Sequence, residues 1–256
     1  MYIIAIPSYK RSMILLYKTL NFLERNSINS NLIYIFITEE DKDDYMQIPR
    51  YLYKEMVIGV KGIVQQREFI ENYFDEGDHI VSLDDDIQDL TFARQDEEIP
   101  LDCFLQNAFE LCKHEGAFIW GVYPVGNAFY AMRNKFYTTH LTFICGCFYG
   151  FINRPKKEEL KCVLTNNKDD YERCIRYWYH DKKVIRFNSI CVKTKYCGTD
   201  GGGLGRLSDR LVDMEQECKL LHAHYPTITK LRIKKNSEYD LKLCDYSGQT
   251  LCIKDK

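Results

Sequence analysis

Three consecutive aspartates, Asp84-Asp85-Asp86, follow directly on an apolar run from His79 to Leu83. Neighbouring carboxylates repel one another and desolvation raises their pKa values, so such a cluster is costly unless a cation neutralises it. Oxygen-only ligands point to Mg2+ or Mn2+, ions that typically bind substrate phosphates as well. A solvated acidic turn is the other reading; attachment to a buried strand favours the metal. A phosphate-rich ligand also needs hydrogen-bond donors near the ion. Ser8, Lys10 and Arg11 follow the first apolar run, and Gln65, Gln66 and Arg67 lie just before the aspartate strand. Arg67 could pair with a phosphate through two parallel N–H groups. The alternatives are a surface loop for Lys10 and Arg11 and an exposed helical face for Arg67.

The elements that must position these residues are legible as a pattern. Tyr2 to Pro7, Leu32 to Ile37, Met56 to Val60 and His79 to Leu83 are apolar runs of strand length, and Met13 to Leu23 and Ile63 to Phe74 show helical spacing. Apolar runs joined by helical crossovers predict an α/β fold with a mainly parallel sheet covered on both faces. In such sheets ligands collect beyond the carboxyl ends of the strands, where the aspartates fall. Further on, Leu101 to His114 and Tyr171 to Tyr179 read as helices. Ala117 to Val122, Leu141 to Phe151 and Val184 to Val192 read as strands, Gly198 to Gly205 as a glycine-rich loop, and Leu207 to His224 as an amphipathic helix. With no repeat and no linker, one domain is expected.

The chain has 256 residues, 45% hydrophobic and 28% charged, with a net charge of −2. That composition excludes disordered, collagen-like and coiled-coil classes, and nucleic-acid binding through bulk charge alone. The distribution is uneven. Residues 71–100 hold eleven acidic side chains and one basic, whereas residues 151–195 hold twelve basic and six acidic. One region suits a cation and the other a phosphate-bearing partner. No signal peptide is visible, and the longest apolar stretch, Leu141 to Ile152, is shorter than the roughly 20 residues a membrane helix needs. The expected setting is cytoplasmic, with the eleven cysteines as buried or free thiols and no membrane partner. Cys145-Gly-Cys147 lies outside the usual zinc spacing.

Three stretches carry a resemblance: IAIPSYKR (Ile4 to Arg11), IFITEE (Ile35 to Glu40), and GVKGIVQQREFIENYFDEGDHIVSLDDDI (Gly59 to Ile87). Together they resemble nucleotide-sugar-dependent glycosyltransferases of the GT-A fold, a Rossmann-like architecture with an Asp-x-Asp metal motif. The resemblance implies that residues 1–100 form a nucleotide-sugar-binding half and residues 101–256 an acceptor-binding half of one domain. It implies a UDP-sugar donor with Mn2+ or Mg2+. Pro7, Ser8, Tyr9, Arg11 and Glu39 would line the donor nucleotide and Arg67 the rest of the donor. Asp84 and Asp86 would meet the ribose and metal, and Asp85 the donor. Gln66-Arg67-Glu68 departs from the Arg-Asn pair common in the family, which weakens the Arg67 assignment. Inverting members place a carboxylate base on a downstream helix, and Asp170 in Asp169-Asp170-Tyr171-Glu172 matches that position. A helix N-terminus keeps such a group ionised. Capping of the helix by Asp169 or Asp170 is the other reading.

Other features have two readings each. Gly146 and Gly150 permit either close ligand approach or tight strand packing. Gly201 to Gly205 form either a hinge or a plain loop. His222 and His224 are either an extra metal or diphosphate ligand or surface residues. Trp120, Tyr123, Pro124, Asn127, Phe129 and Tyr130 either stack on a sugar or base or belong to the core.

The opening IPSYKR, IWGVYPVGN (Ile119 to Asn127), YERCIRYW (Tyr171 to Trp178) and GGGLGR motifs are similar to glycosyltransferases associated with hydroxymethylpyrimidine-forming DNA oxygenases, of the viral, phage and base J type. That resemblance implies transfer of a hexose, glucose first, from a UDP-sugar to a hydroxymethylated pyrimidine in double-stranded DNA. The basic 151–195 segment and the run from Lys230 to Lys235 fit a phosphate-backbone surface. Competing readings are a glycan, lipid or protein hydroxyl as acceptor, and a non-catalytic sugar-nucleotide-binding module.

Overall fold

A computed structural model describes residues 1–92, 99–124, 135–194, 207–234 and 238–244, with side chains from residue 210 in the last helix. Strands β1 (Ile3–Pro7), β2 (Ile33–Ile37), β3 (Glu55–Ile58) and β4 (His79–Leu83) are built from β-branched and aromatic residues that favour extended backbone. They pair in parallel in the order β3-β2-β1-β4. The sheet then becomes mixed. It continues through β8 (Phe148–Ile152), β6 (Ile119–Tyr123), β9 (Ile185–Lys193) and β5 (Asp89–Phe92), with the short β7 (Tyr137–Thr138) also on β9. β8 runs antiparallel to both β4 and β6, whereas β6 and β9 are parallel.

Period-two alternation distributes the strand residues between two apolar layers. Ile4, Ile6, Val81, Leu83, Trp120 and Val122 face one cluster, and Ala5, Ile80 and Ile119 face the other. The first layer is covered by α1 (Ser12–Leu15), the π-helical segment Leu16–Leu20, α2 (Asn21–Arg25), α3 (Lys42–Tyr45) and α5 (Leu101–Glu115). The second is covered by α4 (Ile63–Tyr73) and α6 (Asp169–Asp181). Each fully buried Leu or Ile contributes about 1.5–3 kcal/mol. Gly116 ends α5 in the left-handed region, φ 67°, where a side chain would be strained.

α7 (Leu207–His224) packs on a hairpin of β10 (Thr229–Ile233) and β11 (Tyr239–Leu243). Tyr171, Cys218, Leu221 and Leu241 form the small core between this unit and the start of α6. Neither β5 nor the hairpin is anticipated by sequence pattern. Leu141 to Phe151 is not one strand: only Phe148–Ile152 is, and residues before it are a buried coil in which Ile144 packs against Gly121. A continuous apolar run reports burial, and here burial does not bring a ladder with it. No helix among the described residues is long and apolar enough to cross a membrane.

Candidate active site

The aspartate triplet is a turn that leaves the carboxyl end of β4, and each carboxylate meets a different environment. Asp84 is open to the cleft, its side chain 38% exposed, with Arg67 Nη2 at 3.6 Å. Burial of the surroundings pushes its pKa up to about 7, against the opposing pull of Arg67 and with reinforcement from Asp86, Asp85 and Asp169. Asp85 points inward. It accepts from Ser8 Oγ at 2.7 Å and Arg11 Nη1 at 3.0 Å, and burial still lifts its pKa to about 6. Asp86 is buried, accepts from the Thr194 hydroxyl through Oδ1, and keeps a long 3.5 Å contact from Arg11 on Oδ2.

The turn is held from below by a residue that sequence reasoning missed. Thr19, fully buried in the π-helical segment, donates to the Asp84 carbonyl at 2.7 Å and accepts from the Ile87 N–H at 2.9 Å. A π-bulge widens one helical turn, re-aims a side chain, and recurs at functional sites. Its signal in sequence is nil, because Leu16 to Leu20 reads as ordinary helix.

The loop after β1 is pinned to the same turn. Ser8 Oγ lies 2.6 Å from the Tyr45 hydroxyl as well as bonding Asp85, and the Arg11 N–H donates to that hydroxyl at 3.1 Å. Lys10 adopts a left-handed φ of 55°, with its N–H donating to the buried Asp41. Pro7 is buried at the strand end. Tyr9 stays half-exposed, its hydroxyl donating to Glu40 at 2.6 Å, with Lys10 and Lys61 near its ring face. Glu39 is exposed and 3.9 Å from Lys42. Ser8, Arg11, Asp85 and Asp86 are therefore one network; Tyr9 and Glu39 stand outside its bonds.

Arg67, on α4, is not an exposed helical residue. Its guanidinium donates to Asp169, to the Gly146 carbonyl at 3.0 Å, and reaches Asp84. A Cβ on Gly146 would sit 2.8 Å from Arg67 Nη2, so the glycine allows the arginine to approach closely. Asp169 also receives Arg173 Nη2 at 2.6 Å. Asp169 and Asp170 are the first two residues of α6; the cap position is Lys168, so neither aspartate is the N-cap. Asp170 is partly exposed and its pKa is pushed up to about 6, by burial of its surroundings and then by the charge of Asp169. The loop before it is strapped by Glu172, which accepts from the N–H groups of Val163, Leu164 and Thr165, and by Glu217, which accepts from those of Asn166 and Asn167.

Several expected donors are engaged elsewhere. Gln66 is buried and caps the Val60 N–H at 2.7 Å, while Gln65 crowds Gly62. Gly150 packs on the Trp120 ring, which lies fully in the core, and Arg186 stacks on Tyr123. His222 faces Thr229 and His224 the Leu220 carbonyl, and neither bonds an aspartate of the triplet. Asn127, Phe129, Tyr130 and Gly201 to Gly205 lie outside the described residues. The basic excess of 151–195 is largely spent in ion pairs: Arg154 with Asp181, Lys161 with Glu68 and Glu158, Lys168 with Asp240, Arg176 with Glu172 and Lys183 with Glu115. In the Lys230 to Lys235 run, Arg232 pairs with Asp240 and Lys234 with Glu238; Lys235 lies outside the described residues.

Chemically, the arrangement offers a half-open carboxylate with incomplete neutralisation, a second carboxylate two residues on, and a third with raised proton affinity on a facing helix. No three His, Cys, Asp or Glu side chains among the described residues converge to hold a metal by themselves. Two carboxylates completed by diphosphate oxygens and water are a donor set that suits Mg2+ or Mn2+.

Strand order 3-2-1-4 followed by the mixed half, with the acidic turn after β4, is the Rossmann-like GT-A fold of nucleotide-sugar glycosyltransferases. Solved structures share it at low identity. A mycobacterial protein superposes with a TM-score of 0.54 at 9% identity, over 94% of this chain and 82% of its own. Glucosyl-3-phosphoglycerate synthase from Mycobacterium tuberculosis, in complex with Mn2+, UDP-glucose and phosphoglyceric acid, gives 0.52 at 8% identity, over 95% of this chain and 86% of that one. Staphylococcus aureus TarS 1–349 in complex with UDP gives 0.51 at 10% identity, over 87% of this chain and 66% of that one, so the chain spans just under two thirds of the TarS fragment. No protein-family model matches the sequence, and no curated protein matches it.

Proposed function

We propose that the protein is a metal-dependent glycosyltransferase that moves a hexose from a UDP-sugar to a hydroxyl acceptor, with inversion at the sugar carbon. One observation carries this reading: at the carboxyl edge of a GT-A sheet, Arg67 joins the acidic turn after β4 to the helix start bearing Asp170. Pro7, Ser8, Tyr9, Arg11, Glu39 and Arg67 belong to the donor side in this reading, with Asp84 and Asp86 as metal ligands. Asp85 acts through Ser8 and Arg11 by fixing the first loop. A divalent ion bound there neutralises charge on the leaving diphosphate. Asp170 takes the proton from the acceptor hydroxyl. The acceptor oxygen bonds to the anomeric carbon, and that carbon's bond to the diphosphate oxygen breaks, releasing UDP.

For the acceptor we infer a hydroxymethylated pyrimidine in double-stranded DNA, with glucose as the sugar. Support comes from an open groove lined by Tyr17, Lys18, Asn21, Arg25, Gln88, Asp89 and Lys193. Arg25 pairs there with Asp89 at 3.2 Å, Lys18 and Lys193 add two further cations, and Tyr17 is 69% exposed, a surface suited to a phosphodiester chain. The groove borders the acidic turn, since the Gln88 N–H donates to the Lys193 carbonyl at 2.8 Å. The internal pairing of the 151–195 cations favours a second reading, transfer to an uncharged glycan, lipid or protein hydroxyl. The test is Mn2+-dependent UDP release from UDP-glucose with hydroxymethylated duplex DNA, unmodified DNA or no acceptor, and with Asp86→Asn as control. Stimulation by hydroxymethylated DNA alone supports the DNA reading. Basal release without stimulation moves the acceptor to the second class, and no release from any UDP-hexose overturns the transferase.

A further inference from the structure

We propose that Asp169 is a positioning residue: it holds two buried arginines away from Asp170, leaving that carboxylate unpaired, and through Arg67 it ties the start of α6 to Asp84. This rests on the reading of Asp170 as the base. The two aspartates are neighbours in sequence but differ in every contact. Asp169 is buried, and its Oδ2 accepts from both Arg67 Nη1 and Arg173 Nη2. Asp170 makes no ion pair among the described residues and accepts one hydrogen bond, from the Tyr171 N–H at 2.9 Å.

The charges around Asp170 come from three segments. Arg67 lies on α4, Lys168 precedes α6, and Asp169 and Arg173 lie on α6 itself, alongside Tyr171 and Cys174. Each cation already has a carboxylate: Asp169 takes both arginines, and Asp240 lies 3.8 Å from Lys168. The arginines have donors to spare, since Arg67 Nε and Arg173 Nη1 are buried without a partner. Glu68 and Glu71 on α4 share a pocket with both arginines and Asp169; if Asp169 lost its charge, the freed donors of Arg67 would turn toward Asp84, which it already reaches at 3.6 Å, and those of Arg173 toward Asp170 or Glu71. A paired Asp170 would be a weaker base, and Arg67 drawn to Asp84 would compete with the metal. Two adjacent aspartates separated in this way, one held low and its neighbour high, show how environment assigns different roles to identical groups. Burial pushes Asp169 up, but Arg67 and then Arg173 outweigh it and hold it below the usual carboxylate range.

The test is 13C-carboxyl NMR titration of the aspartate-labelled protein, with Asp170 assigned through Asp170→Asn. In the parent, Asp169 should stay ionised to lower pH than Asp170; the reverse order overturns the proposal and needs no variant. In Asp169→Asn the Asp170 midpoint should fall by about one pH unit or more, and further than in Asp169→Asn with Arg173→Gln, which reads the loss of the neighbouring charge alone; in Asp169→Glu it should return. An unmoved midpoint in folded Asp169→Asn refutes the tie. Turnover is read beside it as UDP release: Asp169→Asn should lose about tenfold or more in kcat and need more Mn2+ for half-maximal turnover, because the released Arg67 competes at Asp84. Retained turnover in Asp170→Asn would remove the base reading itself, whereas an inactive Asp170→Asn with an unmoved Asp169→Asn midpoint would remove only the tie.

Discussion

Thr19→Val tests whether the π-helical segment exists to hold the acidic turn. The two side chains are nearly equal in volume, so packing in the fully buried site is preserved. What is lost is a donor to the Asp84 carbonyl at 2.7 Å and an acceptor for the Ile87 N–H at 2.9 Å. Each orphaned buried backbone group costs about 1–3 kcal/mol, so the pair should cost about 2–5 kcal/mol. For a chain of this size that is a fall in Tm of about 5–15 °C. Thr19→Ser keeps the hydroxyl and loses only a methyl, about 1 kcal/mol. The assay is reversible thermal or urea unfolding of parent, Val and Ser variants without ligand, then with Mn2+ and UDP. Stabilisation by Mn2+ and UDP should shrink in the Val variant, because the turn that presents Asp84 and Asp86 is no longer anchored. Thr19→Val within about 0.5 kcal/mol of the parent, or Ser worse than Val, would refute the anchoring role.

Other outcomes follow from the same contacts. Asp84 has a folded pKa raised above its unfolded value, so its contribution to folding is fully present below about pH 4 and is lost progressively as pH rises to about 7. Asp84→Asn should therefore raise the Tm of the metal-free protein at pH 8, raise it less at pH 5, and abolish the thermal response to Mn2+. Gly146→Ala brings a methyl to 2.8 Å from Arg67 Nη2 and should lower kcat about tenfold or more, with far-UV circular dichroism unchanged. Glu172→Ala strips a fully buried carboxylate from three N–H groups and Arg176 and should cost about 3–5 kcal/mol in urea unfolding. Lys18→Glu with Lys193→Glu should weaken duplex DNA binding in a fluorescence anisotropy titration and flatten its salt dependence, while UDP binding holds.

The parallel half of the fold was legible because it follows one rule per element: apolar runs of four or five residues, helical spacing between them, and an acidic turn where the fourth strand ends; only β3 shifts, to Glu55–Ile58 from the Met56 to Val60 of the pattern. His79–Leu83 is a strand over the residues the pattern assigns. The second half obeys weaker rules. Leu141 to Cys147 is apolar because it is buried under Arg67 and Cys174, contacts that no local pattern encodes. The site was legible as an inventory but not as an arrangement. Ser8, Arg11, Arg67 and the aspartates could be named from type and spacing. That Asp85 would turn inward to Ser8, that Arg67 would reach Asp169, and that Thr19 and Thr194 would hold the turn depend on contacts spanning 65 residues or more. The basic excess of 151–195 shows the converse error, since a charge count does not see the partners that cancel it.

Those spans also set a timetable for the nascent chain. Asp84 donates its N–H to the Cys147 carbonyl, Arg67 waits for Asp169, and Asp86 waits for Thr194, 108 positions later. Closing such loops precedes any return in contacts, so the site forms late in folding, whatever the speed of the β1–β4 block. At ribosomal rates of about 5–20 residues per second, the interval between Asp86 and Thr194 is about 5–20 s. Through that interval the acidic turn is exposed without its threonine or its arginine bridge, and the proposed ligand site is incomplete. Ligand can thus select the finished fold but cannot template the first half of it.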